Sequence, residues 1–364
     1  MLQSMVRDFA KNEIEPKAAE IDQTDKFPHD LMKRFTEMDL FGLPYPKEYG
    51  GSGMGYLAMV LAVEQLAQAS SVVAGWLGTQ CNCIETIFRY GTEEQKQKYI
   101  VPLAQGEKLG CLAFTEPATG TDPRAIQTTA KLVGDEYVLN GQKRFITRAS
   151  VSQIVTIFAK TEDNRVTDFI VETNTPGYST GPAWDKMGSR GSDTCDIFLD
   201  DVRIPKENLL GSQGEGYRIL LQAMTAGKLG WSAQGVGMAQ AALDEAIKYA
   251  KERIVHGRPE AELLSIQWLI AEIATKVEAA RWLTYRAAWL KDQGEDITKA
   301  VALAKLFSAS SSVEAISQAI QVHGSYGYTK DFKVERLYRD AKLNDLIEGS
   351  LEIQRVIIAN SLLQ

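Results

Sequence analysis

The hydrophobic period changes twice along this chain, and few folds accommodate that order. Up to about Gln105, apolar residues recur at three and four, the spacing of amphipathic helices. The helical stretches are Leu2 to Ile21, Leu31 to Met38, Leu57 to Ala69, Val73 to Tyr90 and Glu94 to Leu103. From about Leu109 to Gly211 the period falls to two. Short β-branched runs (YVLNGQKRFI, IVTIFAK, DFIVET, DIFLDDVRIP) are separated there by Gly, Asn, Asp and Pro. Four long helical patterns follow from Gly214. One carries the stripe Leu263, Ile266, Ile270, Ile273, Val277 and Ala280, which requires a helix buried along one side, as in a bundle. The expected class is α+β: an N-terminal α-helical domain (1–106), a small middle β-barrel or sandwich domain (107–213) and a C-terminal four-helix bundle (214–364).

Composition removes several function classes. With 40 basic and 47 acidic residues the net charge is −7, and no Lys/Arg block stands out, which argues against nucleic-acid binding. No long uncharged apolar run predicts a membrane span, and the N-terminal MVRDFAKNEIEPKAAEID reads as a charged helix rather than a signal peptide. Cys81, Cys83, Cys111 and Cys195 lack paired metal-ligand spacing, so reduced thiols, a cytoplasmic location and no metal are expected. Pro44 and Pro46 with Gly50, Gly51, Gly53 and Gly55 predict a long loop; Tyr56 takes the last glycine position of a dinucleotide-binding fingerprint, so a turn is the better reading.

Near the C-terminus stands RDAKLNDLIEGSLEIQR, Arg339 to Arg355. Leu343, Leu346 and Ile347 predict a helical face that stops at Glu348-Gly349-Ser350, where glycine ends a helix and serine caps the next. Glu352 falls in the first turn of that second helix, where the dipole favours an acid. Glu348 is thus expected on an irregular link, its carboxylate free to face a cavity and its N–H outside any helix ladder.

This segment resembles the catalytic segment of the acyl-CoA dehydrogenase family, and further motifs agree in order over nearly the whole chain. They are Thr115-Glu116-Pro117 with Gly120-Thr121-Asp122, Phe145-Ile146-Thr147, Met187-Gly188 through Thr194, Asp201-Val202-Arg203-Ile204-Pro205 and Tyr249-Ala250-Lys251-Glu252-Arg253. The resemblance implies FAD-dependent α,β-dehydrogenation of an acyl thioester, with Glu348 as the α-proton base and a β-hydride passing to flavin N5. It implies that Leu112, Phe114, Thr115, Gly120 and Thr121 line one face of the flavin, and that Phe145 and Thr147 cover the other. Arg253, Gln321, Gly324 and Ser325 match positions that reach the FAD of a neighbouring subunit, so a homo-oligomer, dimer or tetramer, is implied. Ser350 and Glu352 match positions near the adenosine half. Thr121, Thr225, Lys228 and Gly349 match substrate-contacting positions.

The departures leave alternatives open. His256 and Leu264 stand where the family has Phe and a Phe/His-Gln pair, Ser325 where Gly is usual, Glu352 where Gln is frequent, and Arg148 where Asn is common. Thr225 and Lys228 replace an Asp and an Arg that approach the pantetheine arm, exchanging a directional fork for a point charge. The thioester is accordingly carried on CoA or on the phosphopantetheine of an acyl or peptidyl carrier protein. Electrons pass to an electron-transfer flavoprotein or to oxygen. A flavin monooxygenase or a non-catalytic binding protein on the same scaffold is the alternative; the monooxygenase needs no carboxylate at position 348.

Overall fold

The computed structural model describes residues 1–363. Helices come first: α1 (Leu2–Phe9), continued through a π turn (Ala10–Ile14) into α2 (Glu15–Thr24), then α3 (His29–Glu37), α4 (Gly55–Ala69) and α5 (Ser71–Tyr90). The short α6 (Glu93–Gln95) opens on a capping box in which Thr92 and Gln95 satisfy each other's backbone N–H; a π turn and α7 (Val101–Ala104) follow. The glycine-rich stretch is a turn-laden loop. A Cβ on Gly51 would stand 2.1 Å from the Tyr45 carbonyl oxygen, so glycine is required there for the close approach of backbone.

The middle strands are β1 (Gly110–Ala113), β2 (Thr129–Val133), β3 (Glu136–Thr147), β4 (Ile154–Lys160), β5 (Val166–Glu172), β6 (Tyr178–Thr180), β7 (Thr194–Pro205) and β8 (Leu209–Leu210). They form one sheet in the order β6-β7-β3-β2-β4-β5-β8, with β1 parallel to β4. Periodicity predicted β3, β4, β5 and β7. It missed β1, β2, β6 and β8, most of which are too short to show an alternation. The β3–β7 ladder shifts register between Lys143 and Ile146, a bulge that turns Phe145 outward at φ 58°.

Three long helices follow, α8 (Gly216–Glu252), α9 (Leu264–Asp292) and α10 (Thr298–His323), with a small hairpin of β9 (Ile254–Val255) and β10 (Arg258–Pro259) after α8. The predicted stripe on α9 packs inward: Ile266, Ile273, Val277 and Ala280 are buried, and Leu263 and Ile270 partly so. The fourth helical pattern is broken into α11 (Lys333–Ala341) and α12 (Leu351–Leu363). Contrary to the sequence expectation, α11 stops before Leu343, and Leu346 is exposed. Asn344 is the buried residue of the intervening turn. Its carbonyl accepts from the Lys305 ammonium and its amide donates to the Trp231 carbonyl at 3.5 Å, contacts that draw the chain out of an α-helix. One core joins α4, α5, α8, α9 and α10, and a second lies beneath the sheet around Cys111, Leu139, Val155, Phe169 and Ile197.

Candidate active site

Glu348 and Gly349 both adopt positive φ, 55° and 79°. For a glutamate this is an uncommon conformation, held here by its surroundings. The buried Gln354 side chain reaches back from α12 and donates to the Gly349 carbonyl at 2.7 Å and the Glu348 carbonyl at 3.4 Å. The Ser350 carbonyl accepts from Gln354 N–H at 3.2 Å, while the Ser350 hydroxyl goes to the Glu352 carboxylate and holds it below its ordinary pKa. Among the described residues the Glu348 N–H takes no backbone hydrogen bond.

The turn aims the Glu348 side chain between α5 and α8. Asn82 Nδ2 donates to its Oε1 at 2.7 Å, and Oε2 is buried without a partner. The Trp231 N–H faces the same carboxylate and is also unpartnered, as is Asn82 Oδ1. Burial pushes the Glu348 carboxyl above its ordinary pKa; the Asn82 hydrogen bond, the Lys228 and Lys305 ammonium groups and the Trp231 N–H oppose that rise. Both lysines are themselves buried. Burial lowers the Lys228 pKa, and lowers that of Lys305 to about 8, against the attraction of Glu348. Lys228 therefore stands close enough to the carboxylate for the two charges to act on each other. The Thr225 hydroxyl is spent on the Leu221 carbonyl at 2.7 Å.

The residues matched to the flavin form a second group. Leu112 and Phe114 are half-buried and pack on Ile126, Phe158 and Leu220. Thr115 is half-buried, Gly120 and Thr121 are exposed, and a Cβ on Gly120 would meet Thr115 Cγ2 at 3.8 Å. Phe145 is not a core residue: 55% of its surface is exposed, and its ring centroid lies 5.1 Å from that of Trp184. Thr147 is half-buried at the end of β3. Arg144 N–H donates to the Thr115 carbonyl at 2.8 Å, which ties the bulge to the Thr115 segment, and an aromatic face held outward there fits a planar ring system such as isoalloxazine. Arg148 points the other way. It is fully buried, and Nη2 donates to Gln80 Oε1 and the Gly110 carbonyl, each at 2.8 Å.

Arg253, Gln321, Gly324 and Ser325 lie far along α8 and α10, all exposed, with the Arg253 guanidinium 5.8 Å from the Tyr326 ring. His256 and Leu264 are exposed near this end as well. A surface cleft of about 380 Å³ lined by Glu245, Tyr249, His323 and Arg336 shares no residue with the Glu348 cluster. Sequence reasoning missed Asn82, Lys305 and Gln354 as site residues. Gln354 lies inside the quoted C-terminal motif and could have been found; Asn82 and Lys305 sit on helices whose approach to Glu348 no local pattern reports.

Comparison with known proteins places this geometry. Residues 1–107 match the model of the acyl-CoA dehydrogenase N-terminal domain, 111–202 that of the middle domain and 214–363 that of the C-terminal domain. A 3-(aryl)acrylate reductase of Clostridium sporogenes is 42% identical over 369 residues, covering 100% of this chain and 98% of that protein. The butyryl-CoA dehydrogenase structure from Megasphaera elsdenii superposes with a TM-score of 0.98 at 36% identity, covering 100% of this chain and 97% of that one. A chain in the structure of the electron transferring flavoprotein of Acidaminococcus fermentans gives the same TM-score, 0.98, at 39% identity and the same coverage, 100% and 97%. The chain belongs to the acyl-CoA dehydrogenase family.

Proposed function

We propose that Glu348 removes the α-proton of an acyl thioester lying between α5 and α8, within a FAD-dependent acyl thioester dehydrogenase. The observation that carries this reading is the division of labour in one buried carboxylate: Oε1 is anchored by Asn82, and Oε2 is unpartnered. A raised pKa suits a base that must also hold the proton it takes. FAD, when bound, accepts the hydride equivalent leaving Cβ. The developing enolate oxygen needs donors, and the unpaired Glu348 N–H supplies one from the same turn. Lys228 and Lys305 place positive charge behind the reacting carboxylate, keeping it ionised before the transfer.

Leu112, Phe114, Thr115, Gly120, Thr121, Phe145 and Thr147 hold the ring system, and Ser350 and Glu352 lie toward its adenosine half. Arg253, Gln321, Gly324 and Ser325 reach the cofactor of a second copy of the chain; their joint exposure at one end, together with exposed Trp268, Trp282 and Trp289 on α9, supports a homo-oligomer. The thioester is carried on coenzyme A, as the likeness to a butyryl-CoA dehydrogenase supports, and an electron-transfer flavoprotein takes the electrons. Four free, buried thiols support a reducing, cytoplasmic setting, and no helix among the described residues is long and apolar enough to cross a membrane.

Anaerobic titration of the FAD-loaded protein with CoA and carrier-protein thioesters tests this reading. Bleaching of the flavin by a CoA thioester, persisting until an electron-transfer flavoprotein is added, is the expected result. Bleaching by carrier-bound thioesters alone would reassign the carrier, rapid recovery in air the acceptor. No bleaching by any thioester would overturn the function.

A further inference from the structure

We infer that α5 and α8 close the acyl chamber a short way behind Glu348, so that the enzyme takes short acyl thioesters, with Trp231 setting the limit. This rests on Glu348 as the base and adds the substrate class. The two helices cross at a glycine pair: a Cβ built on Gly230 would stand 3.4 Å from Gly78 Cα, van der Waals contact, so nothing larger than a methyl group fits between the backbones there. Beside that crossing the Trp231 indole fills the groove left by Gly75 and Gly78, one turn apart on α5. Its Nε1 lies 3.7 Å from the position of a Gly78 Cβ, and its Cη2 lies 3.8 Å from that of a Gly75 Cβ. The ring thus runs from the Glu348 carboxylate, which its N–H faces, inward along α5.

Nearer the carboxylate the interhelical space is taken by Asn82, whose Oδ1 would lie 2.2 Å from a Cβ on Gly227. An indole and a carboxamide therefore occupy the path that a long alkyl chain would need. Trp231 is 9% exposed and wedged between two helices, so it has no free rotamer into solvent. A pocket of fixed depth rejects an extra methylene by about tenfold or more.

The test compares wild type, Trp231→Ala and Trp231→Leu, all FAD-loaded, on butyryl-CoA, hexanoyl-CoA and octanoyl-CoA. Calorimetric Kd values for crotonyl-CoA and octenoyl-CoA supply a readout apart from turnover. Wild type is expected to favour butyryl-CoA over octanoyl-CoA by at least about a hundredfold in kcat/KM. Trp231→Ala should raise kcat/KM on octanoyl-CoA at least about tenfold and tighten octenoyl-CoA binding, while butyryl-CoA is still oxidised. Trp231→Leu keeps an apolar side chain at the crossing and should open the chamber to hexanoyl-CoA, which decides the matter if the Ala variant does not fold. Equal use of all lengths by wild type, or variants that oxidise butyryl-CoA yet gain nothing on longer chains, would overturn the length limit and leave the base assignment standing. Failure of wild type to bind or oxidise any of these thioesters would overturn both.

Discussion

Asn82 Nδ2 donates to Glu348 Oε1 at 2.7 Å, a side-chain contact across 266 positions of sequence. The hydrogen bond favours the ionised form of the carboxylate, so its removal raises a pKa that burial has already raised. In Asn82→Ala the pH midpoint of kcat/KM should move upward. Activity at neutral pH should fall about tenfold and recover as the pH is raised. A pH–rate profile checks this; an unmoved midpoint would confine Asn82 to packing.

Replacing Glu348 separates the proposed chemistry from the fold. Glu348→Gln should keep FAD and lose roughly a hundred- to ten-thousandfold in thioester oxidation. It should also be the more stable protein. The folded-state pKa lies above the unfolded one, so the native state holds the proton more tightly, and stability falls as pH rises from the ordinary carboxylate range through the raised value. The amide escapes that cost. A gain of about 1 kcal/mol at neutral pH, vanishing in acid, is expected from thermal unfolding at several pH values.

Lys305 acts on the same carboxylate from α10 and also holds the turn that carries it, through the Asn344 carbonyl. Burial brings its pKa from 10.5 to about 8. The native state therefore sheds this proton before the unfolded chain does, and wild-type stability should rise with pH between those two values. Lys305→Met should lack that rise and should shift the Glu348 midpoint upward. If kcat falls in the variant with the midpoint unchanged, Lys305 serves through Asn344 alone. A cycle with Asn82→Ala measures whether the two act on the carboxylate independently.

These residues mark where sequence stops being informative. The change of period placed the helices of both ends and the longer strands, because a buried face imposes its repeat on ten or more residues at once. The Glu348-Gly349-Ser350 break was legible for a local reason, glycine and serine being residues that end and start helices. The end of α11 was not. Leu343, Leu346 and Ile347 keep helical spacing, but the turn is decided by Lys305 and Trp231, contributed by other helices. Lys228 gave no sign of its place beside the carboxylate for the same reason. Its type and position match a substrate contact, and its burial beside Glu348 depends on how α8 crosses α5.

The Thr115-Glu116-Pro117 motif gives the last prediction, because Glu116 is buried and ties the loop proposed to line the flavin to the sheet through Lys143. Lys143 Nζ, wholly buried, donates to Glu116 Oε1 at 2.8 Å and to the Phe158 carbonyl at 2.5 Å. Glu116 also accepts from the Thr128 N–H at 3.0 Å, its hydroxyl at 2.5 Å and the Gln127 N–H at 2.5 Å. Burial alone would raise the Glu116 pKa; Lys143 and these donors outweigh it and hold the carboxyl below its ordinary value. A depressed folded-state pKa contributes stability above the ordinary carboxylate range and loses it as pH falls through the lowered value, so the loop from Phe114 to Thr121 should loosen in acid. Truncating one partner strands the other charge in the interior. Glu116→Ala should therefore cost about 3–5 kcal/mol and release FAD on dilution, seen as a rise in free-flavin fluorescence. The double variant Glu116→Leu/Lys143→Met removes both charges and should recover much of the stability. If FAD retention recovers with it, the pair serves to hold the loop in shape; if stability returns without FAD, the charges themselves contribute to the cofactor site.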